Sequence, residues 1–546
     1  MTTFDRFRRN IVNSVAEMLA RGPGQAATLE AHARRRILVI GGGPVGLAFA
    51  ASLHELAGDR VAVTVADGRW ASEGRGVRWR NPAEGVNRRQ QVVTIQSLVF
   101  SRLPAAVRAA MFPDGGYGEI WPTGRESPAS LGYPRNVRIR DLEDRLLSLA
   151  QSQRLRLLPE QINATELSLR DWDLVVIADG ANSRTRDHFS AAFGQPDATP
   201  YSLHGRQVVD TVLGLRARSR MSSASSVIMT ILQQRFLFNG LPDGQGLLYM
   251  RLTDEEAAEV RGRAPGEHEF RPCIQSNPCL VTWGADRPRG PFVCTKRGSE
   301  FVPATDPASF LWPRALEGLK LFGMPADTLD AITAFPLAMT RRAAFSAEIT
   351  PTGAQHRVFG ALIGDAAGVT HFWPGRGLNR GLSSAYALAV VVSRLDPASN
   401  LRSADLAEFE GVMAQLQSRH QDRAWRAMVQ LQAGQVTPVK AIIGGAITGQ
   451  RAGRQTLLRE MQIRAANLAA GLKDRLPSPP ALSELFEAFD LVDDETLAVI
   501  AVTGAWETLG SGGGEIDVDA ILRVLPTTTG TADLARRHAC SLSLRT

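Results

Sequence analysis

Lysine is nearly missing from this chain. Of its 62 basic residues four are lysines and the rest arginines, against 55 acidic residues and a net charge of +7. No Lys/Arg run interleaved with aromatics accompanies that excess, so the arginine bias reads as composition rather than as a nucleic-acid surface. The triplet Arg34-Arg35-Arg36 reads as solvated. Cysteine is scarce too. Cys273, Cys279, Cys294 and Cys540 have neither metal-ligand spacing nor the pattern of a disulfide framework, which points to a reducing cytoplasm and to no metal. No apolar run reaches the ~18 residues a membrane-spanning helix needs. Arg6, Arg8, Arg9 and Glu17 break up the apolar positions of the first segment, which excludes a signal-peptide core. A P-loop, a zinc pattern and a Ser-His-Asp order are all lacking.

What is there begins at residues 37–40. This short apolar run breaks into Gly41-x-Gly43-Pro44-Val45-Gly46, and residues 47–53 read as the first turns of a helix. That is the strand–turn–helix context of a dinucleotide fingerprint. Gly41 permits the tight turn, Gly43 lets the backbone approach a pyrophosphate, and Gly46 lets helix and strand pack closely. The helix N-terminus offers N–H groups to the phosphates. A second strand, residues 61–65, ends at Asp67, whose carboxylate is placed to accept from ribose hydroxyls.

The 546 residues, 44% of them hydrophobic and 50 of them glycine, fit a globular enzyme of two or three domains. Phe4, Phe7, Ile11, Val15 and Leu19 recur at helical spacing, predicting an amphipathic helix in a 1–33 extension that docks on the protein's own surface. After Asp67 comes a polar, glycine-rich stretch, then Arg88-Arg89-Gln90-Gln91-Val92. Arg140 opens a helix, residues 172–177 form a buried strand ending at Asp179-Gly180, and residues 358–363 form another ending at Gly364-Asp365. Segments 227–238 and 246–252 read as strands of a separate sheet. Gly375-Arg376-Gly377-Leu378-Asn379 precedes a helix at 381–395, and from 403 onward the chain reads as helices.

Gly41-x-Gly43-x-x-Gly46, Asp179-Gly180 and Gly364-Asp365, in this order, resemble the single-component FAD-dependent monooxygenases of the para-hydroxybenzoate hydroxylase type. The resemblance covers about residues 34–400 and neither terminus. It implies an α/β architecture with a discontinuous Rossmann-like FAD-binding domain (34–200 and 346–400) and a smaller mixed-sheet substrate domain (201–345), to which the sequence pattern adds a helical C-terminal region (401–546). It also assigns roles. Asp67 looks like the acid on the adenosine ribose, and Asp365 like the one on the ribityl chain. Asp179 resembles an element touching FAD and nicotinamide, and Arg140 one lining the phosphates. Gly375, Gly377, Leu378 and Asn379 would edge the flavin's pyrimidine ring, where negative charge develops on reduction. Phe335-Pro336-Leu337 looks like the family's approach strand.

Arg88-Arg89-Gln90-Gln91-Val92 and Phe372-Trp373-Pro374 with Arg380-Gly381 also look like the flavin domain of the MICAL monooxygenases. Arg88 and Arg89 are then either flavin or phosphate contacts or a surface pair, and Phe372 and Trp373 face substrate. Where the family often has a histidine after Gly-Asp-Ala-Ala and a Pro-Pro pair beyond, this chain has Gly368 and His371-Phe372. His371 either meets the substrate or the flavin hydroperoxide, as a catalytic group, or fills the core. The flavin halogenases' Trp-x-Trp-x-Ile-Pro signature is absent, as is a second Gly-x-Gly-x-x-Gly for a resident nicotinamide. The resemblance implies bound FAD, NAD(P)H as transient reductant, and dioxygen. The reaction is hydroxylation or epoxidation of a small apolar or aromatic molecule through a flavin C4a-hydroperoxide. Two alternatives stay open: a reductase or oxidase of the geranylgeranyl-reductase type, and a non-catalytic FAD-fold scaffold like the GDP-dissociation inhibitors.

Overall fold

The computed structural model describes residues 34–113, 116–120, 131–263, 281–283, 291–294, 298–354, 356–371, 377–432, 434–472, 475–504 and 516–524. The amphipathic helix expected within 1–33 lies outside the described residues, as do Phe372, Trp373 and Gly375.

The first strand, β1 (Arg35–Ile40), feeds helix α1 (Pro44–Ala57), and the chain returns as β2 (Val61–Ala66). Residues 37–40 are fully buried, as befits a strand covered on both faces. Arg35 is buried as well, contrary to the expectation of a solvated triplet: its Nη2 donates to the carbonyls of Asp396 and Ser399. Alternation within a strand sends Arg35 inward between two outward neighbours. Helix α2 (Ile139–Ser152) and strands β3 (Arg156–Leu158) and β4 (Leu174–Ile177) follow.

The chain then builds a second sheet. Its main strands are β5 (Val209–Arg218), β6 (Phe236–Gly240), β7 (Gln245–Leu252) and β8 (Ala331–Ala338), in the order β6-β7-β5-β8, with short strands at 281–283, 292–294, 300–301 and 262–263 beyond β8. All its pairings are antiparallel. Pro336 sits opposite Thr211 of β5, past the point where the 281–283 strand pairs with residues 331 and 332, so its missing N–H breaks no ladder. The strand expected over 227–238 is a correction: α3 (Ser223–Ile231) is a helix, and only Phe236–Gly240 is strand. Ser222 caps that helix, its side chain accepting from the Ser225 amide.

Strands β9 (Ser346–Glu348) and β10 (Phe359–Leu362) complete the first sheet, in the order β9-β10-β4-β1-β2-β3. β10, β4, β1, β2 and β3 run parallel, and β9 is an antiparallel edge. The architecture is mixed α/β, a Rossmann-like parallel sheet beside an antiparallel one, as the sequence predicts. Helix α4 (Gly377–Ser393) starts four residues earlier than its expected onset, which puts Gly377, Leu378 and Asn379 in its first turn. It packs on α1 and on α5 (Ala407–Met428). Helices α6 (Arg454–Leu472), α7 (Leu482–Leu491) and α8 (Asp494–Thr503) share a core with the antiparallel sheet, through Met461, Phe489 and Ile500 among others. A hairpin, Val429–Gln432 with Gln435–Pro438, interrupts the expected run of helices.

Candidate flavin site

Three loops leave the carboxyl ends of β1 (Arg35–Ile40), β4 and β10 (Phe359–Leu362), which are neighbours in the sheet although far apart in the chain. β1 is followed in space by β2 on one side and β4 on the other, and ligands of open α/β sheets bind at such a reversal of strand order. Gly41 has φ +107°, and a Cβ there would lie 2.5 Å from the Ala178 carbonyl oxygen, so the glycine turn nests against the loop that carries Asp179. A Cβ on Gly46 would lie 2.0 Å from the Gly41 oxygen, so α1 starts directly against the turn. Gly43 is the N-cap residue and Pro44 opens the helix, where its missing N–H costs nothing. The amides of Val45 and Gly46 then have no acceptor within the helix.

Val45 joins this turn to the third loop. Cβ positions on Gly364 and Gly381 would fall 3.2 and 2.6 Å from its side chain, and Gly364 has φ +61°. The Gly364 amide donates to Ser384 Oγ of α4, so the turn carrying Asp365 is pinned on the helix behind it. Asp179 Oδ1 is buried with no hydrogen-bond partner among the described residues. Burial pushes the Asp179 carboxyl up, with the Ser183 and Thr185 hydroxyls easing it. A buried acceptor in that condition calls for a donor. The close-packed glycines, the open helix N-terminus and this acceptor fit a dinucleotide whose phosphates meet amides and whose hydroxyls meet carboxylates.

Asp67 lies where expected, at the end of β2, but its two oxygens are already engaged by Gly42 and Arg69. Arg88 is no surface residue. It donates to Glu143, Asp144 and the Arg140 carbonyl, and its guanidinium lies 4.2 Å from the Trp79 ring centre. Arg89 contributes its carbonyl to the Arg140 amide. The Arg140 side chain is half-exposed, with Asp144 3.9 Å away. Asn379 is fully buried and bridges backbone: its Oδ1 accepts from Gln96 N at 2.8 Å, and its Nδ2 donates to Thr94 O at 2.7 Å. The sequence reading missed Arg69, Trp79 and Glu143, which close around Asp67. Arg69, two residues past the acid, was the available signal.

His371 is buried beneath the antiparallel sheet, its Nε2 3.0 Å from Oδ2 of Asp210 on β5, and Arg251 Nε of β7 lies 3.1 Å from the same oxygen in an ion pair. Burial lowers the His371 pKa against the pull of Asp210. Burial pushes Asp210 up, but Arg251 and His371 outweigh it and hold the carboxyl below its usual range. Arg380 of α4 anchors the loop leading to His371, donating from Nη1 to Gly368 O and Thr370 Oγ1. Burial brings Arg380 down to about 10.

Two surface clefts flank the junction between the sheets. One, about 340 Å³, is lined by Glu119, Asn136, Ser222, Ser226, Phe238 and Asp243 among others. The second, about 350 Å³, carries Arg138, Arg216, Arg218, Gln245 and Asp330. Neither reaches the glycine loops. Among the described residues no group of three or more His, Cys, Asp or Glu side chains is placed to hold a metal, and no helix is long and apolar enough to cross a membrane.

No protein-family model and no curated protein matches the chain. Solved structures do. A tetrameric 2-methyl-3-hydroxypyridine-5-carboxylic acid oxygenase matches at 15% identity over 72% of this chain and 88% of its own, with a TM-score of 0.39. The flavin-dependent halogenase CmlS matches at 14% identity over 93% and 77%, TM-score 0.42. The peptidyl tryptophan dihydroxylase QhpG matches at 16% identity over 72% and 74%, TM-score 0.37. Likenesses of this size leave the residues themselves to carry the functional reading.

Proposed function

We propose that this chain is an FAD-dependent monooxygenase that takes electrons from NAD(P)H and inserts one atom of dioxygen into a small apolar or aromatic molecule. The observation that carries the reading is the meeting of Gly41–Gly46, Asp179-Gly180 and Gly364-Asp365 at one end of one sheet. Segments 34–200 and 346–400 would hold the cofactor, 201–345 would roof the substrate, and 401–546 would brace both. Gly41, Gly43, Pro44, Val45 and Gly46 would take the pyrophosphate, with Arg140 and Arg89 beside it. Asp67 would take the adenosine ribose, Asp365 the ribityl chain, and Asp179 a cofactor hydroxyl. Gly375, Gly377 and Leu378 would edge the ring, and Phe372 and Trp373 would meet the substrate. When bound, FAD supplies hydride acceptance and oxygen activation; the chain supplies orientation, donors and a water-poor cavity.

His371 is the proposed hydrogen-bonding group on the substrate side, held by Asp210. The test is direct. The purified full chain should be yellow and release its flavin on acid precipitation, because no attachment residue is in view. It should also consume NAD(P)H and dioxygen with an oxygenated product when its substrate is present. A colourless chain that takes up no FAD overturns the reading. NAD(P)H oxidation that proceeds equally well without dioxygen favours the reductase alternative.

A further inference from the structure

We propose that Arg69 is a two-position latch for the adenylate half of the dinucleotide: it holds Asp67 until the ribose arrives, then turns its guanidinium onto the pyrophosphate. This rests on the flavin reading above. A carboxylate offers about four acceptor positions on its two oxygens. At Asp67 all are taken: Oδ1 accepts from the Arg69 amide at 2.8 Å and from Nε at 3.0 Å, and Oδ2 from the Gly42 amide at 2.8 Å and from Nη2 at 2.6 Å. Ribose hydroxyls need those same oxygens. Two of the four donors are backbone amides that fix the carboxylate in place, so the Arg69 side chain is the part that yields.

Its destination is adjacent. Among the described residues, and apart from the neighbouring backbone, the one heavy atom within 4 Å of a Cβ position on Gly43 is Arg69 Nη2, at 3.5 Å. The guanidinium therefore already roofs the glycine whose open backbone would face a pyrophosphate. Moving from carboxylate to phosphate exchanges one bidentate charge-assisted pair for another. Of the partners left behind, Glu143 gives up one guanidinium and keeps the other. Glu143, fully buried, accepts from Arg69 Nη1 at 3.2 Å on one oxygen and keeps Arg88 Nε, also at 3.2 Å, on the other. Trp79 presents its ring to both guanidiniums, at 4.9 and 4.2 Å, a flat surface across which Arg69 can shift without losing its cation–π contact. The Arg69 side chain is one-third exposed and so has room to move.

The test is calorimetric titration of the full chain, freed of flavin, with adenosine and with ADP. Adenosine has the ribose and no phosphate, so it must displace the latch and gains nothing from it. Arg69→Ala should bind adenosine several-fold more tightly than the parent, and ADP roughly tenfold more weakly. Arg69→Lys keeps a charge for phosphate without the fork. It should also bind adenosine more tightly, with ADP between the other two, and it carries the test if Arg69→Ala does not fold. Adenosine bound no more tightly by either variant overturns the latch, as does an equal change for both ligands. A parent chain that binds neither ADP nor FAD overturns the flavin reading and this one together; binding of FAD with unaltered adenosine affinity in the variants overturns the latch alone.

Discussion

The bond between His371 and Asp210 assigns a tautomer. Asp210, held below the usual carboxylate range, is ionised near neutral pH, so the proton in that bond sits on His371 Nε2. With its own pKa lowered by burial, His371 is neutral there, and Nδ1 carries the lone pair. Acid therefore works against this pair twice. A histidine lowered by folding binds its proton more readily in the unfolded chain, so stability falls as the pH drops from about 6.5 toward the folded value. Asp210, also lowered, loses its contribution further down, as the pH falls through its own folded value. His371→Gln keeps a side-chain donor and does not titrate. It should flatten the stability slope between about pH 5 and 7, which can reach about 1.4 kcal/mol per pH unit for one proton. Thermal melts across that range check it, and an unchanged slope removes His371 from the buried neutral state. His371→Ala should lower the ratio of product to NAD(P)H consumed while FAD stays bound. A lower melting temperature with an unaltered ratio would make it a packing residue. Asp365 tests the cofactor side: losing a charge-assisted bond of roughly 1.5–3 kcal/mol, Asp365→Ala should weaken FAD binding by about one to two decades. Retention equal to the parent's, measured by equilibrium dialysis, removes Asp365 from the ribityl contact.

Helix α4 shows how an element can be right in kind and its residues differently employed. Glycine and asparagine at 377 and 379 suggest a wall beside the flavin, yet the Asn379 amide ties the first turn of α4 to the backbone of residues 94 and 96. It thereby fixes the height at which the helix N-terminus faces the site. Asn379→Ala would remove its bonds to the buried Gln96 amide and the part-buried Thr94 carbonyl, at about 1–3 kcal/mol for each bond lost from a buried group. The expected result is a loss of at least about 2 kcal/mol in denaturant unfolding; a loss within 0.5 kcal/mol, the usual range for a neutral surface change, would mean the bridge is not formed. Strands β1, β2, β4 and β10 were legible because each is a short apolar run stopped by Gly or Asp, the signature of parallel strands buried on both faces. Helix α3 was not. Its Val227, Ile228 and Ile231 carry strand propensity, and a short apolar stretch has no period that separates buried strand from buried helix. The Ser222 cap was the better signal. The hold of Arg69 on Asp67 lay beyond sequence for another reason: spacing says two residues are near, not that one guanidinium will fill the other's acceptors.

Two separate hydrophobic cores lie on either side of the proposed site. One gathers the parallel sheet with α1, α2, α4 and part of α5; the other gathers the antiparallel sheet with α3 and α6 to α8. Between them Ala427 of α5 meets Val212, Leu247 and Leu337 in a small apolar cluster, and polar bonds cross beside it. Asn136 Nδ2 donates to Gly240 O at 3.0 Å, the Tyr201 hydroxyl to Gln421 at 2.6 Å, and His371 to Asp210. The proposed FAD contacts at Gly41–Gly46, Asp67, Asp179 and Asp365 belong to loops and helix ends of the first core. A ligand that binds only the folded state stabilises by RT ln(1 + [L]/Kd), about 2.7 kcal/mol at a hundredfold excess over Kd. That stabilisation should reach first the unit whose opening releases the ligand. Hydrogen exchange of the full chain with and without FAD should then slow the amides of β1, β2, β4, β10 and α1 by up to about a hundredfold. Amides of β6, β7 and α6 to α8 should slow much less. Equal slowing in both sets would mean that the bonds at the junction already make one cooperative unit of the two cores.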